Sequence, residues 1–430
     1  MFEVTKITDK FEEARNVAKE AEVAIVFVGN HPLINGKETI DRPDITLPAS
    51  QEQLIKEVMA VNPNTIVVVI GSYPFAINWV DEHVPAVLYS SHAGQELGNA
   101  IADVLFGDVN PAGRLNMTWY KSVDQLPPFM DYDIIKGERT YQYFKGEALY
   151  PFGHGLSYTK FSYDRISIDW QEVSALKTEQ AEQTEDNGNA EIRITVSITN
   201  RGIYEGDEVV QLYTHIKQSR VKRPLKQLLA FRRVKLAVGQ SSDVTFTIPL
   251  SELAMWDVTR ERFCIESGTY TFMAGPSSAN LPLHTTLDVV GEVIPPRDLS
   301  QPVKAINYDN YEGVQIGECI DHWLGNVNHN SQGAVEVQEQ VGWIAFNNVD
   351  FSSGASQVKL RMSSEQEQLI NVEIRLQGVE GTVAGEMKLS GTGAQRWEDY
   401  TTEVNGISGC QDIYIIIKGR AALSRVQFLA

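Results

Sequence analysis

Cysteine is scarce in this sequence, which has three in 430 residues: Cys264, Cys319 and Cys410. They are widely separated, and their spacing matches neither a zinc site nor a C-x-x-C redox motif, so we interpret them as buried thiols. Long apolar runs are also missing, since none approaches the roughly 18 residues of a membrane span. The sequence therefore indicates no metal site, no cofactor and no membrane partner.

Positive charge is in short supply as well, with 37 Lys+Arg against 56 Asp+Glu and a net charge of -19. A nucleic-acid or anionic-membrane partner would need a basic face, so neither is expected. The start, MFEVTKITDKFEEA, lacks the basic-then-apolar order of a signal peptide, and we expect a cytoplasmic protein. The length allows two to four domains, and the apolar content of 43% is ordinary for a globular protein.

Helix and strand patterns alternate over the first 120 residues or so. The helical periodicity of residues 11–21 places on one face Phe11, Ala14, Val17, Ala18 and Ala21. Three short apolar runs predict parallel strands, the first two of them buried on both faces: residues 23–28, 65–70 and 84–90. The pattern predicts an α/β sheet with helices on its faces, incomplete at its N-terminus.

The remaining chain reads as β structure. An aromatic, proline-rich and glycine-rich strap over residues 120–160 completes a first domain, 1–160. Alternating strands over 161–290 predict an immunoglobulin-sized antiparallel sandwich. Residues 291–302, with Pro295 and Pro296, read as a linker, and further strand patterns over 297–430 predict a second sandwich. The expected fold is thus multidomain, an α/β domain followed by two all-β domains.

A long polar loop follows the first predicted strand, in the sequence GNHPLINGKETIDRPDITLPASQ. In α/β proteins, loops at the carboxyl ends of strands hold ligands and catalytic groups. The acidic residue of interest is Glu38, beside Lys37 and followed by Asp41 and Arg42. From the loop alone, an exposed surface glutamate is the competing interpretation.

Three motifs together resemble glycoside hydrolase family 3, the β-glucosidase and β-xylosidase family. Glu38 stands three residues before an Asp-Arg pair and ahead of LPASQ, as the family's general acid/base does. The other two motifs are HAGQELGNAIADVLFGDVNPAGRL at 92–115 and YPFGHGLSYTKFSY at 150–163. The resemblance implies that Glu38 is the catalytic acid/base, with Asp41 and Arg42 forming an ion pair that braces the loop.

The two later domains carry resemblances of their own. NRGIYEGDEVVQLY at 200–213 resembles the fibronectin type III-like module of such enzymes. AINYDNYEGVQ at 305–315 resembles a family 6 carbohydrate-binding module, a jelly roll. Against that family's pattern, Ile306 replaces a calcium-ligand Glu, Val337 a sugar-clamping aromatic and Ala422 an Asn. Trp397 matches the remaining stacking position and is the candidate substrate-binding residue, while an inert sandwich is the other interpretation.

The resemblance implies retaining hydrolysis of β-glucosides or β-xylosides, which needs two carboxylates about 5 to 5.5 Å apart. In the family the second carboxylate, the nucleophile, lies in a (β/α) barrel of about 250 residues, and no acid here matches its motif. We therefore expect a β-linked oligosaccharide or aryl glycoside as substrate, with the barrel on a separate polypeptide as a candidate partner. The alternative is a non-catalytic carbohydrate-binding or scaffold protein derived from such an enzyme.

Overall fold

The computed structural model describes residues 8–31, 42, 44–129, 131–170, 190–319, 332–337, 339–364, 368–391 and 396–430. The chain divides into two compact units. The first comprises Met1–Glu252 and Gly268–Val289, and the second comprises Leu253–Ser267 and Val290–Ala430. Within the described residues, no helix is both long enough and apolar enough to cross a membrane.

The first unit begins with an α/β domain whose elements alternate as the sequence predicts. The helices are α1 Thr8–Glu20, α2 Ala49–Met59, α3 Asn78–His83 and α4 Leu97–Phe106. The strands are β1 Ala24–Gly29, β2 Thr65–Ile70 and β3 Ala86–Ser90, parallel and in the spatial order β1-β2-β3. The predicted strand over residues 65–70 is confirmed at both ends.

The two faces of this sheet differ in burial. On one face Val26 and Val67 pack with Ile55 and Val58 of α2, and all four are at most 7% exposed. On the other face Ile25 is 40% and Phe27 53% exposed. The prediction that β1 is buried on both sides is therefore wrong: the described residues cover that side of β1 only in part.

Helix α1 uses a narrower face than its periodicity suggests. Ala18 is 5% exposed and packs in the α/β core, and Ala14 packs against it. Val17, in contrast, is 67% exposed, and Ala21, just after the helix, is exposed as well. Besides these alanines, Arg15 of α1 pairs with Glu57 of α2 at 2.5 Å. The predicted placement of Val17 and Ala21 on the buried face is therefore wrong.

The strap contains a 3-10 turn at Val123–Gln125 and the short helix α5 at Thr140–Tyr143. Trp119 anchors its start to the α/β domain, where the indole is 1% exposed and packs on Tyr89 and Tyr150 at ring-centroid distances of 5.0 and 5.7 Å. A buried ion pair joins the residues just before the strap to the next domain: Arg114 donates to Glu208 at 3.0 Å, and Tyr163 of that domain donates to the same carboxylate at 2.9 Å. Burial, followed by the Glu208 charge, raises the pKa of Tyr163 far above its usual range.

Two antiparallel sheets form the sandwich of the first unit. One contains β4 Phe161–Asp169, β5 Glu191–Asn200 and β8 Ser241–Pro249 in that order. The other has the order β12-β11-β6-β7, from β6 Gly206–Ile216, β7 Gln227–Leu236, β11 Gly268–Gly275 and β12 Leu283–Val289. Alternating residues such as Ile194, Val196 and Phe272 are fully buried between them, as the period-2 pattern predicts.

The second unit starts with a hairpin, β9 Met255–Asp257 and β10 Arg262–Cys264, which follows the 3-10 turn Leu250–Leu253. The predicted domain 161–290 includes this hairpin, whereas in the structure it packs with the chain from Val290 onward. Arg260 and Arg262 both bind Glu292, Arg260 at 2.7 Å. The Asn307 side chain donates to the Val258 carbonyl at 3.0 Å.

Residues 291–302, which the sequence analysis interprets as a linker, are packed against the rest of the second unit. Ile294 is 8%, Arg297 1% and Leu299 1% exposed. The Arg297 guanidinium donates to both oxygens of Asp309, at 2.8 and 2.6 Å, and to the Thr259 hydroxyl of the hairpin at 3.2 Å. The Arg297 backbone also exchanges hydrogen bonds with Asn348 and Asp350. The two prolines stiffen the segment, but the residues around them are buried.

A jelly roll completes the second unit. One sheet has the order β15-β16-β23-β18-β21, with β13 also paired to β23, and the other has the order β14-β17-β22-β19-β20. The strands are β13 Val303–Lys304, β14 Asn310–Glu312, β15 Val314–Cys319, β16 Gln332–Val337, β17 Val341–Phe351, β18 Gln357–Ser363, β19 Leu369–Leu376, β20 Thr382–Ser390, β21 Glu398–Glu403, β22 Gly409–Lys418 and β23 Ala422–Leu429; a 3-10 turn, Ala305–Asn307, follows β13. Both sheets contribute to one apolar core, which includes Phe346, Leu360, Ile415 and Val426, all fully buried.

Candidate functional site at the carboxyl edge of the parallel sheet

The end of β1 is shaped by a glycine and a glutamine. Gly29 has φ +144, and a Cβ there would lie 1.7 Å from the Ile70 carbonyl oxygen, so only glycine fits. Gln51, at the start of α2, receives a hydrogen bond from the Gly29 N–H at 2.8 Å and donates one to its carbonyl at 2.9 Å. This two-way contact fixes the start of α2 against the end of β1.

A polar network joins the ends of all three strands. The Asn30 side chain accepts from the Ser72 N–H at 3.2 Å, and its backbone carbonyl lies 3.0 Å from His92 Nε2. The Ser72 hydroxyl lies 2.6 Å from His92 Nδ1. Because a carbonyl oxygen can only accept, Nε2 carries a proton, and in the neutral imidazole Nδ1 accepts from the Ser72 hydroxyl. Residues that follow β1, β2 and β3 thus hold one another in place.

Arg42 marks the return of the polar loop to the domain. Its guanidinium carbon lies 3.5 Å above the centre of the Tyr73 ring and 5.4 Å from that of Phe75, and Nη1 donates to the Pro74 carbonyl at 3.4 Å. Burial lowers the pKa of Arg42 below its ordinary value, while Tyr73 and Asp44 act in the opposite direction. Arg42 is therefore clamped on an aromatic surface after β2. The predicted ion pair with Asp41 stays a prediction, because Asp41 lies outside the described residues.

An open cavity of about 460 Å³ lies beside the end of β1. Its lining includes Phe27, Asn30, His31, Ser50 and Gln51. The wall therefore combines the Phe27 ring with an imidazole, two side-chain amides and one hydroxyl, a mixture that suits a small polar ligand. His31, the last described residue before the gap in the polar loop, lies in this wall.

Glu38, the predicted acid/base, lies outside the residues that the structure describes. Two other acids on the strap could be considered in its place. Glu138 is bound by Lys145, whose hydrogen bond lowers the pKa of the Glu138 carboxyl, and Lys222 lies 3.8 Å away. Glu147 is paired with Lys121 at 2.9 Å, and its side chain is 84% exposed. The environment of Glu138 therefore favours the charged form rather than the protonated form that a general acid needs, and Glu147 lies in solvent rather than in an enclosed site.

Below the site, the strap contributes a buried polar contact. Tyr150 donates to Asp81 of α3 at 2.6 Å and stacks on the His154 ring at a centroid distance of 5.1 Å. Burial and, to a smaller extent, the Arg114 charge lower the pKa of His154, so its neutral form is favoured. These contacts join the strap to α3, and none of the three residues lines the cavity.

In the jelly roll, the positions that depart from the carbohydrate-module pattern are apolar. Val337 is 3% exposed within the core, and Ile306 packs against that core. Trp397, the predicted stacking residue, is 8% exposed just before β21, and its role in sugar binding stays a prediction. In the part of the chain that the structure describes, no group of three or more His, Cys, Asp or Glu side chains could hold a metal ion.

Several residues of the site escaped the sequence analysis. Ser72 and His92 follow strands, but a lone serine or histidine there gives no signal of its own, and only the parallel topology brings them together. Tyr73 and Phe75 read as ordinary apolar residues until Arg42 is seen to stack on them. Gln51 could have been found, because it closes the LPASQ motif.

Comparison with known proteins assigns each part of the chain. Residues 3–158 match the glycosyl hydrolase family 3 C-terminal domain. Residues 208–278 match the fibronectin type III-like domain, and residues 304–429 match the family 6 carbohydrate binding module. The order is the one that the sequence motifs indicate.

Curated relatives are named as glycosidases. The thermostable beta-glucosidase B of Acetivibrio thermocellus is 35% identical over 288 residues, which cover 64% of this chain and 36% of the relative. The beta-xylosidase of Formosa agariphila is 34% identical over 271 residues, covering 62% and 35%. The chain therefore spans about a third of the length of these relatives.

Solved structures agree with this assignment. The beta-D-glucoside glucohydrolase of Trichoderma reesei has a TM-score of 0.58 and 30% identity, covering 66% of this chain and 42% of that one. The beta-glucosidase of Kluyveromyces marxianus in complex with glucose also has a TM-score of 0.58 and 30% identity, covering 67% and 34%. The chain thus carries, in order, a glycoside hydrolase family 3 C-terminal domain, a fibronectin type III-like domain and a family 6 carbohydrate-binding module.

Proposed function

We propose that this chain is the acid/base-bearing part of a retaining β-glycosidase that hydrolyses β-glucosides or β-xylosides. Glu38 protonates the leaving oxygen and then deprotonates the attacking water. The nucleophilic carboxylate comes from a barrel outside residues 1–430, on a separate polypeptide or on another segment of the same protein. The names of the relatives, beta-glucosidase and beta-xylosidase, support this substrate class.

The observation that carries the proposal is the anchoring of both ends of the Glu38 loop. At its start, Gly29 is held by Gln51 and the Asn30 carbonyl by His92. At its end, Arg42 is stacked on Tyr73, and Ile45 and Thr46 pair with Ala76. A general acid must be held in a fixed position over its substrate, and a loop fixed at both ends on rigid strands meets that need.

Burial under a substrate and barrel would raise the pKa of the Glu38 carboxyl, as a general acid requires. Without that cover, Lys37 beside it favours the charged form. The isolated chain is therefore expected to be nearly inactive on nitrophenyl β-glucoside and β-xyloside. Turnover of about 1 per second or more by the purified 430 residues would contradict the proposed division of the two carboxylates.

The decisive experiment adds the separately expressed barrel and compares Glu38→Ala with the parent. Hydrolysis of natural disaccharides should fall about 10²- to 10⁴-fold, and that of dinitrophenyl glycosides far less, because a good leaving group departs without a proton. Azide should partly restore turnover of the activated substrate. Glu138→Ala is the matched control and should stay within a few-fold of the parent.

The competing function is a non-catalytic carbohydrate-binding or scaffold protein. It is favoured if the chain binds glycans but no barrel, upstream or separate, restores hydrolysis. An unchanged disaccharide activity in Glu38→Ala, with hydrolysis restored, would instead place the acid elsewhere.

A further inference from the structure

An exposed apolar surface lies where the α/β domain meets the fibronectin-like sandwich, both of which belong to the first unit. Its side chains come from the end of α4, from the last part of the strap and from the connection between β5 and β6. We call these six residues, which are between 45 and 83% exposed, the apolar patch: Phe106, Val109, Leu156, Tyr158, Ile203 and Tyr204.

Hydrogen bonds hold the three segments of the apolar patch together. The Asn110 side chain, just after α4, accepts from the Ser157 hydroxyl and from the Tyr158 N–H, both at 2.9 Å. The same side chain donates to the Glu205 carbonyl at 3.0 Å. The Tyr158 hydroxyl in turn donates to the Val104 carbonyl of α4 at 2.7 Å. Because one amide binds all three segments, the six side chains share one continuous surface.

The apolar patch is at the upper end of the apolar surface that a monomeric protein exposes. Phe106, Leu156 and Ile203 are 83%, 76% and 77% exposed. With the other three side chains they present on the order of 600 Å², where the largest patch of a typical monomer has about 300 to 600 Å². A dimer interface of standard size buries about 800 Å² on each partner, so the patch and its charged rim are large enough to form one.

Charged residues of opposite sign lie on two sides of the apolar patch. On the α4 side are Asp103 and Asp108, both exposed. On the other side are Lys160 and Arg201, which the hydrogen bond from the Arg201 N–H to the Lys160 carbonyl joins at 2.7 Å. The Arg201 guanidinium lies 3.8 Å from Asp164, but its side chain is still 64% exposed. One side of the rim is therefore acidic and the other basic.

This polarity makes the surface complementary to itself. Glu205 and Lys235, also at the rim, pair with each other at 2.7 Å and leave the polarity unchanged. In a twofold-symmetric dimer the same surface occurs on both copies, so the acidic side of one can face the basic side of the other. We propose that the apolar patch binds a second copy of this chain. The inference goes beyond the proposed function, because it concerns self-association and not hydrolysis.

Two observations favour a second copy over the barrel as the partner at this surface. None of the six residues lines the cavity at the end of β1. Helix α4 has ten residues and is about 15 Å long, so Phe106 at its end lies well away from the end that follows β3. A barrel that encloses the carboxyl edge of the sheet is thus expected to cover that edge. The net charge of -19 opposes self-association, but physiological salt screens it beyond about 8 Å.

The test is sedimentation velocity of the full chain over about 1 to 100 μM in physiological salt. The parent should form dimers. Phe106→Asp and Leu156→Asp should each raise the dissociation constant at least about tenfold, because each buries two unpaired charges in a twofold interface. The matched control is Phe263→Asp, which changes a phenylalanine that is 68% exposed on the hairpin of the second unit. The control should dimerise as the parent does, and circular dichroism should show that all three variants fold.

A second measurement changes the charges and leaves the apolar patch intact. Asp108→Lys and Lys160→Asp should each weaken dimerisation about fivefold or more, because each places like charges on facing sides of the two copies. The double variant should recover the dissociation constant of the parent, since opposite charges then face each other again. Such recovery requires the two sides to meet, which a loss of folding in the single variants would not produce.

A parent that stays monomeric over the whole concentration range would overturn the proposal, as would dimers that persist unchanged in both Phe106→Asp and Leu156→Asp. An equal loss of dimerisation in Phe263→Asp would move the contact to the hairpin. If the separately expressed barrel binds the chain and Phe106→Asp abolishes that binding, the partner at this surface is the barrel and not a second copy. Because neither measurement records hydrolysis, these results are independent of the test of Glu38.

Discussion

Strand β1 of the α/β domain and strand β22 of the jelly roll have similar apolar sequences, AIVFVG and GCQDIYIIIK, but different burial. In β22 the consecutive residues Ile415, Ile416 and Ile417 are at most 4% exposed. In β1, Ile25 and Phe27 are 40% and 53% exposed. The difference lies in what covers each face of the strand, not in the strand's own composition.

The comparison bears on the proposed function. The jelly roll closes its core from its own two sheets. Ile416, on the opposite side of β22 from that core, is still only 4% exposed. The parallel sheet leaves the Phe27 side of β1 open among the described residues. Under the proposed function, this open face is where a further segment of the enzyme packs, and the open cavity at the end of β1 becomes enclosed at the same time.

The largest expected effect is a difference in lost stability between two phenylalanine-to-alanine variants. Phe346→Ala removes a fully buried ring from the jelly-roll core and should cost about 3 to 5 kcal/mol. Phe27→Ala removes a half-exposed ring and should cost about 1 kcal/mol or less. Hydrogen exchange resolved to β17 and to β1 measures the loss of stability at each strand separately. A local measurement is needed because a multidomain chain does not unfold in two states. Equal losses would show that β1 is covered after all.

Arg297→Ala should have a comparable effect within the second unit. It leaves the Asp309 carboxylate without its bidentate partner, at a cost of about 3 to 5 kcal/mol for a buried pair. Lys304→Ala is the control, since its 2.8 Å pair with Glu261 is exposed and worth about 1 kcal/mol or less. Limited proteolysis should find residues 291–301 resistant in the parent and readily cut in Arg297→Ala. Rapid cutting of the parent there would restore the linker interpretation.

A smaller effect is expected where the loop returns to the α/β domain. In the barrel-completed enzyme, Tyr73→Leu should lower kcat/KM about 2- to 30-fold, because Arg42 loses a ring contact worth about 0.5 to 2 kcal/mol. Tyr73→Phe keeps the ring and should stay near the parent. If both variants were equally impaired, the hydroxyl rather than the stacking would be the important group.

The smallest expected effect is a pH dependence of the jelly roll. Because the pKa of Glu373 is lowered in the folded state, its stabilising contribution is complete above the ordinary value of about 4.5 and is lost as the pH falls through the folded pKa. Glu373→Gln should therefore flatten the melting temperature against pH below about 4.5 and leave the profile unchanged between pH 6 and 8. A profile that keeps the parent's slope would assign the acid sensitivity to other carboxylates.

The local sequence pattern predicted where helices and strands lie better than it predicted which of their faces are buried. The run TIVVVI gives β2 at both ends, because a strand buried on both faces favours consecutive β-branched residues. The segment EIRITVSITN gives β5, because it alternates apolar and polar residues. The same reasoning failed for Phe27 and Val17, because periodicity shows which residues could share a buried face but not whether an element covers it. It failed for 291–302 because Pro295 and Pro296 outweighed the apolar Ile294 and Leu299 beside them.

The site was predicted in part for a similar reason. The loop, Arg42 and LPASQ are visible as a motif, whereas Ser72, His92 and Tyr73 become part of the site only when parallel strands bring their carboxyl ends to one edge. Glu38 rests on the motif alone, because it lies outside the described residues. Its role is for the reconstitution experiment to decide.

The hairpin Leu253–Ser267 limits how freely the parts of this chain can be exchanged. It lies in sequence between β8 and β11 of the fibronectin-like sandwich, yet its packing partners are Arg297, Asn307 and Glu292. A gene truncated after Val289 would keep the hairpin and delete what it packs on, leaving Asp257 and Cys264 stripped of cover. Recombination that grafts the carbohydrate module onto another enzyme would have to carry the hairpin with it, so the unit of inheritance here is discontinuous in sequence.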